Sequence, residues 1–256
     1  MNISQLVSEN AAASPQQYAL IFEHEKYTYQ ELDTLSSQTA AALSGLNIGS
    51  GDRVALMLAN HPQFVVTYLA VQKIGAIAVL INPEYKAAEI SFILNNAECC
   101  TLVTTGELRW ELSNAKLPHL QHVILIYGTG QEGDLLLADL VCDLSTSFHT
   151  VDVDDDTPST LLYTSGTTGT PKGVVLSHGN LNTTTQQCAE AFSIQKNDRV
   201  LHCMPVYHSY GLTTIMLPSF RAGATVVLSP NSEADAVLQI ANRFEITIFC
   251  AVPMLF

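Results

Sequence analysis

The densest group of reactive side chains lies between Tyr163 and Asn180, in YTSGTTGTPKGVVLSHGN. From Ser165 to Val175 the segment holds three glycines, one proline and one lysine. Gly166, Gly169 and Gly173 permit positive φ and close approach of backbone to a ligand. Thr164, Ser165, Thr167, Thr168 and Thr170 supply hydroxyls, and Lys172 supplies a cation. Free amides, hydroxyls and one ammonium together suit phosphate oxygens. A surface turn requires no such density. The Walker A pattern fails twice. Pro171 stands where its second glycine belongs, and Gly173 stands where Ser or Thr would hold magnesium. The chain then enters Val174 and Val175, which read as strand, so the helix N-terminus of a P-loop is missing.

The elements around this loop alternate between two periods. Short apolar runs at Arg53 to Leu58, Ala76 to Ile81, Cys99 to Thr104 and Val123 to Tyr127 read as strands buried on both faces. Helical patterns separate them. Thr28 and Glu31 form a capping box before an apolar stripe through Leu32, Leu35, Ala42, Leu43 and Leu46. His61 to Ile74 starts at Pro62 and stops at Gly75, and Ile90, Ile93, Leu94 and Ala97 share one helix face. In the second half, Thr160 to Tyr163 is a strand entering the loop and Gly173 to Leu176 one leaving it. Ser177 caps a helix that runs to about Phe192. Strand over Val200 to Met204, helix over Leu212 to Arg221, strand over Thr225 to Leu228, a helical face through Ala234, Val237, Leu238 and Ala241, and strand over Ile246 to Val252 complete the pattern. The fold class is α/β, with mostly parallel sheets covered by helices on both faces.

Net charge is −13, from 24 acidic and 11 basic residues. That balance excludes a nucleic-acid partner and a polybasic membrane contact, both of which need clustered Lys and Arg. The start, MNISQLVSEN, has no signal-peptide pattern, and the longest apolar run is too short to span a bilayer. A cytoplasmic protein is expected. The six cysteines form no CxxC pair and read as buried, reduced thiols. Asp152, Asp154, Asp155 and Asp156 read as a solvated linker. The expected division is residues 1–155, an N-terminal α/β subdomain, and 156–256, the start of a second one that carries the phosphate loop.

Tyr163 to Gly173 resembles the AMP-binding signature of the adenylate-forming superfamily, which includes acyl-CoA synthetases, luciferases and peptide-synthetase adenylation domains. TYQEL at Thr28 to Leu32, GDRVALMLAN at Gly51 to Asn60, and KIGAIAVLINPEYKAAE at Lys73 to Glu89 resemble the family's earlier segments. MPVYHSYGL at Met204 to Leu212 resembles its P-x-x-H-x-x-G motif. The resemblance covers essentially the whole chain. Thr167, where peptide-synthetase domains usually carry Ser, and INPEY at Ile81 to Tyr85 favour the acid–thiol ligases.

The resemblance implies two half-reactions. A carboxylate, expected to be a fatty acid, attacks the α-phosphate of ATP and expels pyrophosphate. The acyl-adenylate then forms a thioester with CoA; a carrier-protein thiol is the alternative acceptor. Preorganised donors and Mg2+ stabilise the developing phosphate charge. By analogy Thr164 helps hold Mg2+, Lys172 sits near the β- and γ-phosphates, and Ser165, Gly166, Thr167, Thr168 and Gly169 cradle phosphate oxygens. Tyr207, His208 and Gly211 belong to the acyl and adenylate pocket. A carboxylate substrate is already ionised at pH 7, so the first step needs no base. His208 therefore reads as a pocket wall, and His178 as part of the helix after the loop.

The family's later elements do not occur in these residues: no aromatic-Gly-x-Thr-Glu segment, no ribose-binding Asp, no hinge, no small domain with its catalytic lysine. The chain accordingly reads as the front of an acyl-CoA synthetase, cut after an apolar run and expected to be inactive alone. A different reading is a non-catalytic remnant, or a split half whose partner chain supplies the rest.

Overall fold

The computed structural model describes residues 1–142, 144, 147–164 and 171–253. In chain order, helix α1 (Gln5–Ala13) precedes strands β1 (Tyr18–Phe22) and β2 (Glu25–Thr28). Helix α2 (Tyr29–Gly45) follows directly, and its capping box is present: Thr28 Oγ1 accepts from the Glu31 amide while the Glu31 carboxylate accepts from the Thr28 amide. Then come β3 (Arg53–Leu56), α3 (Pro62–Lys73), β4 (Ile77–Leu80), α4 (Ala87–Asn96), β5 (Thr101–Thr104) and α5 (Gly106–Trp110). The short β6 (His122–Leu125), β7 (Leu135–Leu136) and α6 (Leu137–Val141) lead to β8 (Pro158–Thr164), β9 (Lys172–Ser177) and α7 (His178–Ala191). Ser177 caps α7 through the Asn180 amide, as its position predicts. The last described elements are β10 (Arg199–His202), a π-helix over Tyr210–Met216, α8 (Leu217–Arg221), β11 (Thr225–Leu228), α9 (Ala234–Arg243) and β12 (Ile248–Phe249).

Two sheets form. One runs β7-β6-β5-β3-β4-β8-β9 and the other β12-β10-β11-β1-β2. Every described pairing is parallel except β1 with β2 and β8 with β9. Strand alternation builds the layers. Val54 and Leu56 join a central core with α1–α3, the inner face of the second sheet and the π-helix. Ala55 and Met57 face the other way, onto Ile90, Ile93 and Leu94 of α4. On the far face of the second sheet, Leu201 and Val227 pack on Val237 of α9.

Several expectations need correction. The sheets do not divide at residue 155: β8 pairs with β4, and β1 pairs with β11. The Asp-rich segment is exposed, yet it is strapped down, with Val151 N donating to Lys73 O and Gly179 N to Asp155 O. The hairpin β1–β2 went unread, because a bulge between Tyr18 and Leu20 breaks its alternation. The expected helix over Leu212 to Arg221 is two pieces. Pro218 has no N–H to close a bond back to Thr214, and the chain widens into a π-helix before it. The expected strand over Ile246 to Val252 shrinks to Ile248–Phe249, since its partner β10 ends at His202. Cys99 and Cys203 are buried, but Cys142 is exposed.

Candidate active site

Hairpin β8–β9 carries the ends of the phosphate-loop segment. Its register sets Tyr163 opposite Gly173 and Thr164 opposite Lys172. Ser165, Gly166, Thr167, Thr168 and Gly169 lie outside the described residues. Gly173 has a local cause: a Cβ there would stand 3.2 Å from both Tyr163 Cζ and Leu161 Cδ2. The glycine leaves room for the Tyr163 ring, whose hydroxyl donates to Asn96 Oδ1 at 2.7 Å.

At the carboxyl ends of β4 and β8 a cleft of about 310 Å³ opens. Ligand sites of open α/β sheets sit at such ends. Leu162, Tyr163 and Thr164 of β8 with Val174 and Leu176 of β9 form one wall. Asn180, Leu181 and Thr184 of α7, one helix face, form a second. Leu80, Asn82 and Tyr85 after β4, with Tyr207, His208 and Ser209 after β10, close it. Among the described residues no Asp, Glu, Lys or Arg lines this space. Sequence reasoning singled out Thr164, Tyr207 and His208 and missed the apolar walls.

Lys172 is exposed at the start of β9, beside Thr164 but outside the lining. Gly211 is buried in the π-helix and does not line the cleft either. A Cβ on it would lie 2.2 Å from Pro205 O and 2.9 Å from His202 Nε2. Its role is to seat the helix on the turn that presents Tyr207 and His208.

His208 Nδ1 accepts from the Tyr210 amide at 3.3 Å. In the neutral ring the proton then sits on Nε2, which makes the free nitrogen a donor. That suits an oxygen of a bound acid or adenylate better than proton abstraction. The Tyr207 hydroxyl is pushed up by burial first and by Glu84 and Tyr85 next, so it stays a neutral donor. His178 sits at the start of α7, buried, with Nδ1 accepting from the Ile3 amide at 3.1 Å. His202, fully buried beneath the π-helix, has neither ring nitrogen in a hydrogen bond of normal geometry.

The donor set does not by itself make a magnesium site. Mg2+ prefers carboxylates together with phosphates and water. The described lining supplies hydroxyl, amide and imidazole groups without a carboxylate. No described cluster of three His, Cys, Asp or Glu residues could hold a metal.

Parallel strands whose carboxyl ends, Thr164 among them, border an apolar cleft define an α/β protein with a crevice at its strand ends. The chain belongs to the AMP-binding enzyme family, whose profile matches residues 7–256. Among curated relatives, 4-coumarate–CoA ligase 3 of Arabidopsis thaliana is 32% identical over 237 residues, covering 90% of this chain and 42% of that protein. The crotonobetaine/carnitine–CoA ligase of Salmonella paratyphi A is 31% identical over 265 residues, covering 99% of this chain and 51% of that protein. The crystal structure of the anthranilate CoA ligase AuaEII in complex with anthranoyl-AMP superposes with a TM-score of 0.94 at 27% identity, covering all of this chain and 50% of that one. The chain thus spans about half the length of the relatives it matches. No described helix is long and apolar enough to cross a membrane.

Proposed function

We propose that this chain contributes the phosphate-binding and acid-binding part of an acid–thiol ligase. In this reading ATP converts an apolar carboxylic acid, a fatty acid before an aryl acid, to its adenylate, and CoA then takes the acyl group. The supporting observation is the cleft itself. Thr164 lines an apolar space that carries no charged side chain among the described residues, so an alkyl or aryl group fits while a second carboxylate would lack a counter-ion. By analogy with the family, Lys172, one strand across from Thr164, would sit near the β- and γ-phosphates. Magnesium would depend on the oxygens of the nucleotide for most of its ligands. Tyr207 and His208 donate toward the bound acid or adenylate. A carrier-protein thiol in place of CoA would use the same first step.

The test is carboxylate-dependent ATP–pyrophosphate exchange on the purified chain, with a panel of fatty, aryl and dicarboxylic acids. Calorimetric binding of non-hydrolysable acyl-sulfamoyl-adenosines follows. Exchange, or selective binding of the analogues with apolar acyl groups, supports the reading. Neither signal from a folded chain overturns it and favours a non-catalytic half.

A further inference from the structure

Asn60 lies in the link between β3 and α3, 8% exposed and outside the cleft lining. Its side-chain amide makes three hydrogen bonds, all to backbone. Nδ2 donates to Met204 O at 3.0 Å and to Ser229 O at 3.0 Å. Oδ1 accepts from Val206 N at 2.9 Å. Met204 and Val206 flank Pro205 in the turn that leaves β10 and presents Tyr207 and His208. Ser229 stands just past β11 and donates its own amide to His202 O at 2.9 Å. One amide therefore ties the exit of β3 in the first sheet to the exits of β10 and β11 in the second. The site needs two donors and an acceptor within one short side chain. Asp lacks the donors and Leu lacks both.

The same turn is held from its other side. The His208 amide donates to Pro205 O at 3.1 Å, and Gly211 lets the π-helix rest on that carbonyl. Among the described residues His208 is tied only to near neighbours in the chain, Pro205, Tyr210 and Leu212, and these bonds move with the turn. The backbone of residues 204–206 fixes the height above the cleft, and its clamps are Asn60 and Gly211.

We propose that Asn60 is the positioning residue for the Tyr207–His208 wall, and that it sets the distance between that wall and hairpin β8–β9 across which the activated acid is held. This rests on the adenylate-forming reading above. Asn60 touches no substrate; it acts through the backbone of Met204 and Val206. In Asn60→Asp a carboxylate would face two carbonyl oxygens and push the turn outward. Asn60→Ala removes all three bonds without adding charge, and covers the case in which the carboxylate prevents folding.

Two measurements on the whole chain separate positioning from general stability. Hydrogen exchange is followed in peptides spanning residues 203–208 and, as controls, in β3, β4 and α3. The affinity for a hydrophobic acyl-sulfamoyl-adenosine is followed by calorimetry. Either variant is expected to speed exchange in 203–208 selectively and to weaken analogue binding about tenfold, while the controls keep their protection. Unchanged exchange in 203–208, or acceleration spread evenly over the chain, overturns the proposal. If the unsubstituted chain binds no analogue, the adenylate reading fails, and the selective exchange effect alone then decides whether Asn60 clamps the turn.

Discussion

Thr164 closes β8, Lys172 opens β9, and the two are direct cross-strand partners. A hydroxyl that lines the cleft and a cation outside its lining are thus held by one ladder position at the two ends of the glycine-rich segment. Both side chains are exposed, so neither supports the core. Lys172→Ala is expected to weaken ATP binding by about tenfold, the worth of one charge-assisted contact, with the urea unfolding midpoint unchanged. Titration calorimetry with ATP checks this. Unaltered affinity would remove Lys172 from the phosphate site.

Gly173 and Tyr163 share the neighbouring ladder position. A methyl at Gly173 would stand 3.2 Å from Tyr163 Cζ and Leu161 Cδ2, so these side chains must give by a few tenths of an ångström, the ring while bonded to Asn96. Gly173→Ala should cost about 1–2 kcal/mol. In a Tyr163→Ala background at least half of that cost should disappear, because the crowded ring is gone. A double-mutant cycle by urea denaturation reads the coupling, and strict additivity would refute it.

Acid should destabilise the protein through two histidines. Burial holds His178 down to about 4, with a smaller push from the N-terminal ammonium. Burial also holds His202 down to about 3, against a weaker upward pull from the Met204 backbone. Both folded values lie below the unfolded value of about 6.5, so the unfolded chain binds more protons below that pH. Their stabilising contribution is complete above pH 6.5 and falls as pH drops toward 4 and then 3. Each group adds a slope of about 1.4 kcal/mol per pH unit within its window. His202→Leu also removes two unpaired ring nitrogens, and should flatten the fall between pH 6 and pH 4 by about one proton. Denaturation at stepped pH measures it; an unaltered slope would exclude His202.

Lys73 and Asp33 form an asymmetric pair between α3 and α2. The Lys73 side chain is 2% exposed and that of Asp33 29%. The ammonium donates to Asp33 Oδ1 at 2.7 Å, Asp33 O at 3.1 Å and Ser37 Oγ at 2.8 Å. Burial pulls its pKa down and Asp33 pulls it back up. Asp33→Ala leaves a buried ammonium without its counter-charge and should cost about 3 kcal/mol. Lys73→Met should cost about 1 kcal/mol, since Asp33 retains water and Ser8 Oγ at 2.6 Å. Equal costs in urea denaturation would contradict the asymmetry.

Much was legible in the sequence because it is local. The capping boxes at Thr28 and Ser177, the Pro62 start of α3 and the apolar faces of α4 and α9 depend on neighbours a turn away. The family signature was legible for the same reason, since Tyr163 to Gly173 are consecutive residues. Helix Leu212 to Arg221 misled because Pro218 acts on the turn before it, and β1–β2 because its bulge hides the alternation.

By itself, then, the sequence determined the family, the α/β class and the helix starts. These follow from short-range stereochemistry and residue type. Only the tertiary structure decided that strands from both sides of residue 155 share each sheet, and that Leu162, Val174 and Leu181 wall a cleft beside Thr164. It alone decided that Gly211 seats a helix outside that cleft, and that Asn60 holds a turn nearly 150 residues away in sequence (|i−j| 146). Those relationships come from strand order and from hydrogen bonds between distant backbone groups. Neither leaves a periodic mark in the chain.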